Sequence, residues 1–252
     1  ADFEQTMNVM AQVTGATGDQ MAAMQQQAID LGASTVFSAG EAADAMLELG
    51  KAGLVPEQIM GAIGGTMDLA AAGNLDLAQA ATIASNAMNA FQLPASEVTD
   101  IANMLAAAAN ASSADVTDLA AGMQMAGAVF ASNGQSIQDL NAGLAILANN
   151  GIAGSDAGTS LKTMLMRLAA PTGEAADVMA DLGIQVFNAD GSMRGFADIV
   201  GSLESATGGL SDQQRTMALN TIFGADAIRA ASILAESGAD GFADMQKAVT
   251  KE

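Results

Sequence analysis

Any chemistry in this chain has to come from carboxylates, hydroxyls and a few cations, because its 252 residues include no His and no Cys. A Ser-His-Asp or Cys-His nucleophile is therefore impossible. Zinc and copper lose their usual ligands, and a histidine pH switch is excluded. Without Cys there is no disulfide framework or thiolate chemistry, and the redox compartment is not legible. The run Gly151-Ile152-Ala153-Gly154-Ser155-Asp156-Ala157-Gly158-Thr159-Ser160-Leu161-Lys162 invites comparison with a phosphate-binding loop. It fails on spacing: such a loop needs a preceding strand and a Lys directly after its second Gly, whereas Lys162 comes late and Asp156 puts negative charge inside the loop. Asn188 to Ile199 opens like a calcium-binding loop, but Met193 stands where Gly is required and Ile199 where a bidentate Glu is required. Paired carboxylates for glycoside hydrolysis would want aromatic platforms, and the chain has no Trp or Tyr. The acids read as solvated helix faces, and the chain as a non-enzyme with no cofactor and no metal site.

Charge narrows the partners. With 28 Asp+Glu against 8 Lys+Arg the formal net charge is -20. Nucleic-acid binding needs a basic stripe to displace counterions, so it is excluded, and an anionic membrane surface is disfavoured for the same reason. Lys51 is the only basic residue before Lys162, so the first part of the chain carries most of the excess. Mean hydropathy is +0.29, yet no stretch approaches the roughly 18 apolar residues of a membrane span. The positive value comes from Ala and Met spread over many short segments.

Those segments have helical spacing almost throughout. Ala42, Ala45, Met46 and Leu49 fall at i, i+3, i+4 and i+7, with Glu41, Asp44 and Glu48 on the opposite face. Ser38 and Glu41 form a capping box ahead of them, and Gly53 supplies a left-handed end. The same pattern returns about a hundred residues later: Ser136 and Asp139 open it, Leu140, Leu144 and Leu147 line it, and Gly151-Ile152 closes it, which suggests a duplicated helical unit. Further helix starts stand at Asp76, Asp115 and Ser211. Pro56, Pro94 and Pro171 each mark a helix boundary. One stretch has strand character: Gly183 to Phe187, followed by Asn188-Ala189-Asp190-Gly191 and Ser192-Met193-Arg194, predicts a short β-hairpin.

The expected fold is mostly α, an array of short antiparallel helices with one small β-hairpin near residues 184–194. Three parts are expected: an N-terminal helical segment at 1–34, an Ala/Gly-rich helical core at 35–170, and a C-terminal helical part with the hairpin at 171–252. The opening Ala1-Asp2 and the closing Thr250-Lys251-Glu252 read as the ends of an excerpt from a longer chain. Small residues at the contacts, including Gly61/Gly65 and Gly154/Gly158, let helix backbones approach but bury little apolar area, at about 25 cal/mol per Å². High helix content with modest tertiary stability follows, with the 17 Met residues filling gaps.

The order of these loops resembles a known family. Phe37-Ser38 leading into Glu41 to Met46, Leu49 to Leu54, Asp68 to Gly73, Asp76 to Phe91 and Ala106 to Ser112 is similar to the conserved core of phage tail tape measure proteins, also called phage-related minor tail proteins. The likeness is strongest at Asn150 to Thr159 and at Arg167 to Gly173, and it extends over Leu182 to Gly191 and the Phe223-Gly224 turn. It covers roughly Val13 to Leu234, and one departure is Ala153, where many relatives carry a basic residue. Ser38, Glu41, Gly53, Asp76, Gly151, Gly154, Gly158, Arg167, Pro171 and Gly191 are the positions that carry it, in structural roles.

The resemblance implies a structural and assembly protein that occupies the tail tube, sets tail length and leaves when the genome is ejected. Its implied partners are the tail tube protein, tail assembly chaperones and tail tip or baseplate proteins, with a homo-oligomer in the tail and the host membrane as a contact after ejection. It places the protein in the virion tail, and in host cytoplasm during assembly. A helical chain advances about 1.5 Å per residue, so chain length converts to tube length. This stretch cannot be most of such a ruler, since short looped helices fold back on themselves. A compact domain of this length would have a radius of gyration of about 18 Å. The alternative is a membrane-active module of an injection device.

Overall fold

A computed structural model of the chain describes residues 3–250. Ala1, Asp2, Lys251 and Glu252, which bound the first and last sequence-predicted parts, lie outside the described residues. The described chain forms twelve α-helices and a one-turn 3-10 helix at Ala95–Glu97, gathered into two compact units, Ala1–Ala106 and Ala107–Glu252.

The first unit holds α1 (Phe3–Thr14), α2 (Gly18–Ser34), α3 (Ala39–Lys51), α4 (Pro56–Gly73) and α5 (Leu77–Phe91), and ends within α6 (Val98–Ala111). Helix α3 is its centre, packed against α1, α2, α4 and α5. The apolar stripe read from the sequence is the face that does this, since Ala42, Ala45, Met46 and Leu49 are all fully buried. Alanines there keep the helix thin enough to be surrounded, so the buried area is spread over many small contacts. Thr6 donates to the Asp44 carboxylate at 2.8 Å and ties α1 to α3.

The second unit holds α7 (Val116–Ser132), α8 (Ile137–Asn149), α9 (Gly154–Ala169), α10 (Gly173–Asp181), α11 (Phe196–Gly208) and α12 (Asp212–Val249). Helix α8 is buried without interruption from Leu140 to Ala148, under α7, α9 and α12. Apart from Asn141, residues 140–148 are apolar or small on every face, which suits the interior position they occupy. Phe196 of α11 bridges Phe130 of α7 and Phe242 of α12, with ring centroids 5.1 and 5.5 Å apart in tilted and edge-on arrangements.

Helix boundaries follow local chemistry. Thr17, Ser38, Asp76, Asp115, Ser136 and Ser211 are N-caps, each accepting a hydrogen bond from the backbone amide three residues on. Pro56 is the first residue of α4, and Pro94 and Pro171 sit just ahead of the 3-10 turn and α10. At the C-termini of α3, α4, α5, α7, α8 and α10, a residue of positive φ is followed by one whose N–H donates to the carbonyl five residues back, at 2.9–3.2 Å. Gly53 and Gly151 are the turning residues of α3 and α8, so the two similar sequence stretches have the same local geometry at both ends. Their surroundings differ: α5 and α1 dominate around α3, α12 and α7 around α8.

The hairpin expected near 184–194 does not form. No strand or sheet occurs among the described residues, and the segment holds a single antiparallel bridge between Phe187 and Met193. The ladder is limited on both sides. Inside the bridge, Asn188 to Ser192 are used up by a turn in which the Asp190 carboxylate accepts from the backbone and hydroxyl of Ser192 at 2.9 and 2.6 Å. Outside it, the Gln185 N–H donates to the Ser202 hydroxyl of α11 rather than to a facing strand. The alternation of buried Ile184 and Val186 with exposed Gln185 is real, but it anchors a loop to the helices.

Candidate functional site

The ten residues that carry the sequence resemblance stand at helix ends, at helix crossings and in one loop, four in the first unit and six in the second. Ser38 and Glu41 form the reciprocal box at the start of α3: the Ser38 N–H and hydroxyl each donate to Glu41 Oε2 at 2.7 Å, and the Glu41 N–H donates back to Ser38 Oγ at 3.2 Å. Asp76 accepts the Gln79 N–H at 2.8 Å to start α5. Gly53 and Gly151 close α3 and α8 with φ of 101° and 83°. Gly191, at φ 86°, turns the loop after the bridge residue Phe187, and Pro171 is half-buried between α9 and α10.

Gly154, Gly158 and Arg167 make contacts between helices distant in sequence. Gly154 begins α9 at φ 61°, where an added Cβ would lie 3.2 Å from the Asp118 carboxylate of α7. One turn later Gly158 meets the α7 backbone itself, with an added Cβ 2.7 Å from Gly122 Cα. Arg167, at the other end of α9, holds its guanidinium beside Gly224 of α12, 3.4 Å from where a Cβ would stand. The run that invited comparison with a phosphate loop is thus an inter-helix connection preceded by α8, a helix rather than a strand. Of the small-residue pairs, Gly65 and Gly158 make the close approaches, Gly65 against Thr99, while Gly61 faces open space.

Two contributors were not legible in the sequence. Gly122 is the partner of Gly158, and its only signal is a small residue within an Ala-rich helix. Glu204 of α11 accepts the Ala239 N–H at 2.9 Å, across 35 residues, at a break in α12. That break was foreshadowed only by Gly238 standing inside a helical pattern.

Electrostatically, four carboxyls are shifted toward the ionised form by hydrogen bonds. Glu41 lies below the ordinary glutamate range because of the Ser38 backbone and then side-chain hydrogen bonds. Glu57 is lowered chiefly by the Gln20 amide, Asp115 by Thr117 and the Asp118 N–H, and Asp190 by Ser192. A general acid needs the opposite shift, so none of these four is set for that role. Among the described residues four ion pairs, Arg229–Asp156 at 2.9 Å among them, are exposed or half-buried and contribute little. The grooves are shallow: one of about 400 Å³ lies between Glu57, Gly61, Pro94 and Thr99, and two of about 340 and 440 Å³ share Asn150, Ile233 and Glu236. Among the described residues no group of three potential ligands could hold a metal ion, and no helix is long and apolar enough to cross a membrane.

Each unit is a set of capped, closely packed helices, and no group of three metal-binding side chains occurs among the described residues. The chain is 34% identical over 248 residues to the tape measure protein of Pneumococcus phage Dp-1, an alignment covering 98% of this chain and 22% of that protein. It is 31% identical over 254 aligned positions to the probable tape measure protein of Escherichia phage P2, covering 99% of this chain and 31% of the relative. The chain therefore spans between a fifth and a third of the length of these curated relatives. No solved structure matches it. The phage-related minor tail protein family matches residues 25–224, from α2 to the first break in α12, and the chain belongs to that family.

Proposed function

We propose that this chain is a segment of a tail tape measure protein, a structural and not a catalytic component. The observation that carries the reading is the alignment of nearly the whole chain with two proteins of that name. The segment lies within the tail tube of the virion, contributes to setting tail length and leaves with the genome. Before that it is handled in the host cytoplasm by tail assembly chaperones. Its partners are the tail tube protein, the tip or baseplate proteins and further copies of itself, and it touches the host membrane after ejection. The net charge of -20 supports a chain that passes DNA without binding it. Ala, Gly and Met packing supports rearrangement at modest cost.

Two measurements on a phage carrying this segment test the reading. Its peptides are expected to resist added protease in intact tails and to be lost from tails after triggered ejection. Digestion in intact tails, or retention afterwards, overturns the location. A tandem duplication of the segment is expected to lengthen the tail, by at most about 380 Å if every residue were helical at 1.5 Å each. An unchanged tail length removes the ruler role.

A further inference from the structure

We infer that α12 is a latent continuous helix, bent into three segments by its neighbours and able to anneal into one rod when they release it. The run Asp212–Val249 is helical except at two residues, Gly224 and Gly238, which share the same backbone angles, φ 67° and ψ -179°. Only glycine occupies that region comfortably, and a change at one residue per break, to ordinary helical angles, joins 212–223, 225–237 and 239–249. No proline lies beyond Pro171, so nothing covalent keeps the segments apart.

What keeps them apart is tertiary. At Gly238 the Glu204 carboxylate of α11 accepts the Ala239 N–H, one of the amides that a helix start leaves orphaned, and it fills the space where a Cβ would stand, at 2.5–2.6 Å. At Gly224 the Arg167 guanidinium of α9 lies beside the break, in ordinary contact at 3.4 Å from where a Cβ would stand. Just beyond, Ser160 donates to the Asp226 carbonyl at 3.1 Å. Arg229 pairs with Asp156, Gln246 donates to Asp139 of α8, and Phe242 packs on Phe196. Every one of these partners lies on α8, α9 or α11, so loss of those contacts removes the reason for both bends together. The released helix would be about 57 Å long and about 10–12 Å wide. The inference concerns this chain in solution and does not depend on the tape measure reading.

The absence of Cys makes the test direct. Spin labels are placed on Met217→Cys and Lys247→Cys in the 252-residue chain, and their separation is measured by pulsed electron resonance beside helix content by circular dichroism. The parent gives a distance shorter than the straight-helix value of about 45 Å. Gly224→Ala/Gly238→Ala disfavours both bends directly, while Phe196→Ala keeps both glycines and loosens the contact with Phe242. A shift to about 45 Å with helicity retained in either variant upholds the inference. A short distance persisting in both, or a broad distribution with lost helicity in both, overturns it.

Discussion

Gly158 of α9 rests directly on Gly122 of α7: a Cβ at 158 would fall 2.7 Å from Gly122 Cα and closer still to its carbonyl oxygen. The obstacle is backbone on the far side, which cannot rotate away. A Cβ at 122 instead meets the end of Leu144, with Cδ1 at 2.9 Å, which can change rotamer.

This asymmetry orders two substitutions. Gly158→Ala should destabilise by about 1–3 kcal/mol through forced separation of α7 and α9. Gly122→Ala should cost clearly less, because Leu144 can repack where the Gly122 backbone cannot, while the helix gain of about 1 kcal/mol from replacing Gly is common to both positions. Urea unfolding of both variants measures the order, and equal or reversed effects contradict the close crossing.

At Gln92 the effect should run the other way. It turns the end of α5 at φ 53°, a left-handed conformation in which a non-Gly residue pays about 1–2 kcal/mol. Gln92→Gly should raise stability by a fraction of that, net of the entropy glycine gains in the unfolded chain. A lower melting temperature would contradict the left-handed cap.

The box at Ser38 and Glu41 predicts a pH dependence. Glu41 has its carboxyl lowered in the fold, so its stabilisation is fully present above the ordinary glutamate range and is lost as pH falls through the lower, folded value. Glu41→Gln should therefore be less stable than the parent at pH 7, with the gap closing below about pH 4. A gap that widens on acidification would mean the carboxylate is not the stabilising form.

Net charge predicts a salt response. The four ion pairs among the described residues lie at or near the surface and have little to lose by screening, whereas a chain at -20 repels itself. Raising NaCl from 10 mM to 0.5 M, about a sevenfold shorter Debye length, should raise the melting temperature. A fall would show that attractive pairs outweigh the repulsion.

Phe196 sits between two other rings with no exposure. Phe196→Ala should cost about 3–5 kcal/mol, enough to consume much of the stability of an Ala-rich domain. Chemical denaturation of the variant gives the value, and a loss under 1 kcal/mol would mean the cluster carries no weight.

Much of this architecture is written in residues a few positions apart. Ser38 with Glu41, Ser136 with Asp139, Asp76, Gly53, Gly151 and Pro56 act within one helical turn, so the sequence alone was enough to place those ends and the apolar stripe of α3. The resemblance to tail tape measure proteins was likewise legible, because it rests on the order and spacing of those same turns. Ile184 to Met193 shows the limit of local reading. Alternation there records which side chains are buried, but whether a strand forms depends on where each backbone N–H goes, and Ser202 takes the one from Gln185.

Partner choice belongs to the tertiary structure. Nothing local distinguishes Gly122 or Gly158 from glycines that face open space, such as Gly61, until two backbones meet. Glu204 is one acid among 28 until it reaches Ala239. Composition and spacing determined that the chain is helical, acidic and without His or Cys, since those properties are additive along the sequence. Which helices cross, which glycines bend and how the chain divides into two units were decided by contacts between residues tens of positions apart, whose energies exist only once the chain has folded.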